Sequence, residues 1–451
     1  GNSIESGGNY NVAVGDEAGT AITTGDNNVA IGYSAGAALT TGLSNILIGS
    51  NTGDALTTAS ENTAVGHFAM SNNVLGAKNV AIGTSTLSAT NPATAADMYN
   101  TAVGFSAGNA VTTGTQNTLI GGLAGDASQT GDANVAVGYL SFSSVATGDN
   151  NTAIGTRSMF SNTSGSENTG LGKDALYSNT VGAYNVAVGE GALYSNVDGS
   201  RSVAIGRLAL YTQDPASAVD SYNVGVGYDA GAAVTTGIQN TLIGGLAGDA
   251  LTDADFNVAL GYRALSADTL GSRSVAIGYS ALFTQNFTTA TDAYNVAIGM
   301  EAGNKITTGT YNNLIGGLAG DALTDADYNV AIGGAALTAD TLGSRSVAIG
   351  HAALYTQNFT TATDAYNVAV GHNAGLAVTT GTNNVLIGGL AGDAITDADG
   401  NVAVGSLALS TNTVGSASVA VGYAALSTQN PSTATQMYNV AVGQNAGAAV
   451  T

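Results

Sequence analysis

The sequence has no cysteine and no tryptophan, three prolines, and nine basic residues in 451. The missing cysteines exclude a disulfide framework and any thiolate metal site. The scarcity of bases, set against 31 acids and a net charge of −22, disfavours binding to DNA, RNA or an anionic membrane. No run of about 18 apolar residues occurs, so no segment reads as a membrane-spanning helix. No signal peptide is visible and the chain starts without methionine, so the reading is a segment of a longer protein. Disordered chains are poor in apolar residues, whereas 44% of this one is hydrophobic.

What is abundant is glycine, 64 residues, placed with a fixed rhythm. A pentapeptide, Asn-Val-Ala-Val-Gly and its variants, occurs 25 times, closing at Gly15, Gly32, Gly49 and onward to Gly443. Every interval between closing glycines is 17 or 21 residues. A short period over the whole chain predicts a solenoid rather than a globular enzyme. The predicted fold is therefore all-β: a parallel β-solenoid (β-roll) of about 25 coils, forming one continuous repeat domain over 1–451.

Counting each coil from its Asn as position 1, position 4 is always Val, Ile or Leu, and position 5 always Gly. The β-branched residues at positions 2 and 4 signal a strand. A second extended stretch is expected before the next turn, as in Ala21–Thr24. Stacked Asn side chains at position 1 predict an amide ladder. Position 3 is Ala or Leu in 23 of 25 copies, so both strand faces are apolar and both are expected to be buried. The expectation is that positions 2 and 4 fill the coil interior, and that the Ala face joins one chain to another.

Five coils carry four additional residues, and all three prolines (Pro92, Pro215, Pro431) lie in these insertions. From Arg207 onward a 72-residue super-repeat appears, with copies at 207–278, 279–350 and 351–422. The insertions predict loops on one edge, and loops on a rigid scaffold are the usual place for binding. The candidate contact residues are Phe287, Phe359, Tyr222, Tyr294, Tyr366 and Tyr438.

Asp253 and Asp255, Asp325 and Asp327, and Asp397 and Asp399 recur at 72-residue spacing. Such carboxylates are weak Ca²⁺ candidates; the alternative is a charge ladder with Arg273 and Arg345 in the following coil, or plain solvation. No cofactor is otherwise implied. His351 and His372 fall one coil apart without a third ligand. Threonine pairs such as Thr23-Thr24 raise an ice-binding reading, but adjacent residues of a strand point to opposite faces. No nucleophile elbow, phosphate loop or metalloprotease motif occurs, and no feature supports an enzyme.

Segments such as Ser202-Val203-Ala204-Ile205-Gly206 and Ser346-Val347-Ala348-Ile349-Gly350 resemble the head repeats of YadA-like trimeric autotransporter adhesins. The unit from Asn185 to Ser195 is also similar to repeats of phage tail fibres. The resemblance implies a left-handed β-roll, a homotrimer, and an extracellular location on a cell surface or virion. The function it implies is the shaft or head of an adhesive fibre, facing a host surface, glycan or matrix ligand; a phage tail-fibre shaft, a self-assembling filament and a single-chain ice-binding solenoid are the alternatives. This period is 17, longer than the roughly 14 residues typical of the adhesin head.

Overall fold

A computed structural model describes residues 7–144 and 147–450. The chain forms two compact units, Gly1–Asn223 and Val224–Thr451. Each is an all-β parallel solenoid. The first holds twelve three-residue strands, Val12–Val14 to Val203–Ile205; the second holds thirteen, Val224–Val226 to Val440–Val442. No helix is present among the described residues.

Successive strands pair parallel and in register. Val12, Ala13 and Val14 lie against Val29, Ala30 and Ile31; Val275, Ala276 and Ile277 lie against Val296, Ala297 and Ile298 across a 21-residue coil. The four additional residues therefore leave the sheet as a loop without disturbing the pairing. The second extended stretch does not form a strand: Ala21–Thr24 is turn and bend. Among the described residues, short second strands occur only where a 21-residue coil meets its predecessor, as Gly271–Ser272 against Thr291–Asp292.

The closing glycine is fixed by crowding. At Gly172, with φ +140°, a Cβ would lie 2.5 Å from the carbonyl oxygen of Gly189. No other residue tolerates both that conformation and that approach.

The Asn row is the ladder expected. Asn45 donates from its backbone N to Asn28 Oδ1 at 2.9 Å, and its Nδ2 reaches Asn28 Oδ1 and Ala59 O, both at 3.0 Å. These amides are fully buried, so the bonds they make are the condition for their being there. Ser replaces Asn in the 21-residue coils of Ser202, Ser274, Ser346 and Ser418, where an interior Gln takes the space. Gln213 donates Nε2 to Ser202 Oγ and to Asn196 Oδ1, each at 3.1 Å, and accepts from Asn223 Nδ2 at 3.0 Å.

The direction of the strand faces reverses the expectation. Position 3 points inward: Ala30, Ala81, Ala204 and Ala276 are fully buried. Positions 2 and 4 point outward, partly or largely exposed: Ile46, Ile82 and Ile205 are about 40% accessible. The Ala row lines the coil and the Val/Ile row faces out. A 17-residue coil encloses little space, and small side chains at positions 3 and 8 let its walls approach.

One larger side chain completes each interior, and two positions compete for it. Where position 9 is Gly, position 12 supplies the core: Gly36 with Leu39, Gly53 with Leu56, Gly303 with Ile306. Where position 9 is Leu or Met, position 12 is a buried polar group: Met159 with Asn162, Leu193 with Asn196, Leu265 with Asp268. Among the described residues Ser128, beside Gly125, departs from this rule. The plugging side chain enters from a left-handed backbone, φ +50° at Leu193 and +54° at Leu265. That conformation costs about 1–2 kcal/mol, which burial of a leucine, about 2 kcal/mol, offsets.

Candidate functional site

In each unit the outward strand face repeats from coil to coil. Of its fifty positions, none is charged; all are Val, Ile or Leu except six Thr and Asn313, all at position 2. Among the described residues, these positions are partly or largely exposed in both units. Exposed aromatic residues flank it in sequence. Tyr33, Phe105, Tyr139, Tyr262 and Tyr279 follow the closing glycine, and Tyr184, Tyr222, Tyr294, Tyr328 and Tyr366 precede the Asn.

The residues before the Asn adopt left-handed backbone, φ +49° at Tyr294 and +62° at Arg273. In the second unit they make a continuous stack. Arg273 lies over Phe256 at 4.7 Å and over Tyr294 at 5.8 Å. Tyr294, Tyr311 and Tyr328 follow at 5.1 and 5.0 Å, and Arg345 lies over Tyr328 at 4.8 Å. The ring faces are taken up by neighbours, so the stack offers edges and hydroxyls.

Of the loop-contact candidates, Tyr222, Tyr294, Tyr366 and Tyr438 are exposed; each directly precedes an Asn of the ladder, and Tyr294 is part of the stack. Phe287 and Phe359 are not at the surface. Each is 5% exposed, with its ring where a Cβ on Gly271 or Gly343 would fall, 2.7 Å away. The loops close over these rings, so the phenylalanines hold the insertions down.

The repeated aspartates are built into the turns. Asp327 Oδ1 accepts from Thr310 N at 2.7 Å and Oγ1 at 2.9 Å; Asp399 does the same with Thr382, and Asp255 accepts from Ile238 N at 2.7 Å. Asp253 and Asp325 accept from Thr236 and Thr308, and Asp397 accepts from Thr396 Oγ1 at 3.2 Å. No group of three His, Cys, Asp or Glu side chains arranged to hold a metal occurs among the described residues. A charge ladder exists, but with other partners than the sequence suggested. Arg273 pairs with Asp292 and Arg345 with Asp364, each at 3.0 Å, reaching into the insertion of the next coil. Lys78 with Asp97 and Arg201 with Asp220 repeat the arrangement. The Lys78 hydrogen bond holds the Asp97 carboxyl below the usual carboxylate range. In the final copy Ala417 takes the place of the Arg.

The first threonine of each pair spends its hydroxyl on the next coil. Thr23 donates to Thr40 O at 3.2 Å, Thr40 to Thr57 O at 3.1 Å, and Thr235 to Thr252 O at 3.2 Å. A hydroxyl already satisfied by backbone is poorly placed to order water. His351 and His372 stack, their rings 5.5 Å apart.

Two features gave no sequence signal that was read. Asp268 and Asp340 are fully buried, each accepting from Gln285 or Gln357 at 2.5 Å and from two backbone N–H groups. Burial pushes both carboxyls above the usual range. The other feature is a cavity of about 220 Å³ in the first unit, lined by Asp174, Glu190, Gly191, Tyr194, Leu208 and Tyr211. It opens where Gly191 interrupts a row that carries side chains at Asp174 and Leu208. Both features follow from the position 9 and 12 exchange or from a missing side chain in a row, visible once coils are aligned by position.

No protein-family model matches the chain, and no curated protein matches it.

Proposed function

We propose that this solenoid is the structural shaft or head of an extracellular attachment fibre, assembled from copies of the chain through the outward Val/Ile face. The observation that carries this is the uncharged row itself. In a chain of net charge −22, fifty outward positions without one charge are difficult to explain by solvation. Large exposed apolar surfaces mark association sites. The aromatic and arginine residues flanking the strand belong to the types enriched at interfaces. The acids, kept to turns and loops, would keep assembled fibres apart. The resemblance to YadA-like adhesin repeats favours three chains, with the Val/Ile rows meeting at the centre and not the Ala rows.

Light scattering coupled to size exclusion tests this. The expected mass is three times 44.0 kDa. Replacing Ile298 and Ile315 together by Glu should give a folded monomer. A wild-type chain that is monomeric at every concentration would remove the proposal.

A further inference from the structure

We propose that Asn313 is the side chain by which one copy of this chain selects an identical copy at the same height along the outward face. The inference rests on the fibre reading above and adds to it a residue that decides which partner fits. Asn313 is the one amide on that face. It opens the strand Asn313–Ile315 and is exposed, with Val296 beside it in the coil before and Val330 in the coil after. Among the described residues its side chain has no hydrogen-bond partner within the chain. The solenoid itself has no use for the amide. Asn is depleted in strands, where Val is favoured. The same place in the super-repeat is Thr241 in the copy before and Val385 in the copy after, in strands that pair just as regularly.

The apolar row around it does little to distinguish one height from the next. Val and Ile recur from coil to coil, so a face moved along by one coil meets much the same side chains. A single amide in such a face breaks that equivalence. Its head group offers two donors and an acceptor. Copies aligned at Asn313 set these amides against one another. Copies shifted by one coil set each amide against a valine, Val296 or Val330, where a desolvated amide without a partner is costly. A second copy is also the occupant that the face fits in size. Leu260, Ile315, Ile332 and Ile387 are 37–43% accessible. At such exposure the thirteen strands of the second unit offer on the order of 1,000 Å² of apolar surface, against about 800 Å² per partner in a stable protein interface. A featureless apolar partner, such as a lipid surface, would cover the valines and leave the amide unpaired.

The test is self-sorting of the full chain. The variant Asn313→Val/Val330→Asn carries the same amide one coil further on, and Asn313→Val/Val385→Asn carries it one super-repeat further on. Isotope-labelled wild type is unfolded and refolded together with each variant, and native mass spectrometry counts the assemblies. Labelled and unlabelled wild type should mix statistically. Wild type and either variant should sort, with mixed assemblies roughly tenfold below their statistical share, the effect of one buried amide left unpaired. Circular dichroism identifies a variant that does not fold, and the other then supplies the result. Asn313→Val alone should associate at least as tightly as wild type, because the amide selects the partner and does not drive association. Statistical mixing of wild type with the folded variants would overturn this inference and leave the assembly standing, as would a monomeric Asn313→Val. A wild-type chain that stays monomeric removes the fibre reading, and this inference with it.

Discussion

The two units satisfy the same interior position in different ways. In the first, Asn162, Asn179, Asn196 and Gln213 occupy position 12 of four consecutive coils, and each passes a hydrogen bond to the next. Asn179 Nδ2 reaches Asn162 Oδ1 at 2.9 Å, Asn196 Nδ2 reaches Asn179 Oδ1 at 3.1 Å, and Gln213 Nε2 reaches Asn196 Oδ1 at 3.1 Å. In the second unit polar pairs alternate with apolar ones: Asp268 with Gln285, then Ile306 with Leu323, then Asp340 with Gln357. A continuous amide row propagates, because every amide both donates and accepts. An isolated pair has no such neighbour above it, and here a carboxylate begins it. The third pair, Asn412 with Gln429, shows that an amide can do so as well. Asn412 accepts from Gly415 N at 3.0 Å and donates to Gly415 O at 2.6 Å.

Four experiments test how far this difference reaches. The largest effect should come from what the units share. Leu193→Ala and Leu265→Ala each empty a core plug and should cost about 2–5 kcal/mol, by a similar amount in the two units. Amide exchange read by mass spectrometry, which follows each unit separately, checks this; a loss in one unit only would mean the plugs are not equivalent. Next is the row itself. Asn179→Ala strands an Asn196 amide N–H and the Asn162 Oδ1 acceptor, and should cost about 2–3 kcal/mol in the first unit, with exchange rising in coils on both sides.

Third, Asp268→Asn and Asp340→Asn should stabilise the second unit at neutral pH. Burial raises both carboxyl pKa values above that of the unfolded chain, about 3.9. The folded state therefore holds these protons more tightly. Their stabilising contribution is whole below about pH 4 and is lost as pH rises through the folded value. Wild type should gain stability on acidification from neutral, and the double variant should lack that gain. Denaturant melts at a series of pH values read the result. The smallest effect is expected at the surface. Arg345→Ala removes an exposed ion pair and a ring contact and should leave the denaturation midpoint of the second unit nearly unchanged.

Much of this was legible from residues alone. The coil period, the closing glycine and the Asn ladder all repeat in phase, and a feature that repeats 25 times is hard to misplace. The direction of the strand was not legible. Val and Ile on one side and Ala on the other ordinarily mean that the larger side chains are inside. Here the enclosed space is too small for them, and size predicts the reverse of the true orientation. Phe287 and Phe359 misled for a related reason. They lie in insertions, where exposure is usual, yet Gly271 and Gly343 leave room for a ring beneath the loop. Asp268 and Asp340 look like ordinary acids until their coils are aligned with those of Asn196 and Asn412.

The leucines at position 3 impose a grammar on how such a chain can grow. Leu314 lies where a Cβ on Gly303, in the preceding coil, would stand 2.8 Å away, and equally on Gly320 in its own. Each such leucine thus demands glycine at position 9 in two successive coils. Copying the coil of Leu314 alone and setting it after Leu337 would drive leucine into leucine. A four-coil copy of 72 residues carries matched seams at both ends. Lengthening by whole stanzas, rather than by single lines, is the route this packing leaves open.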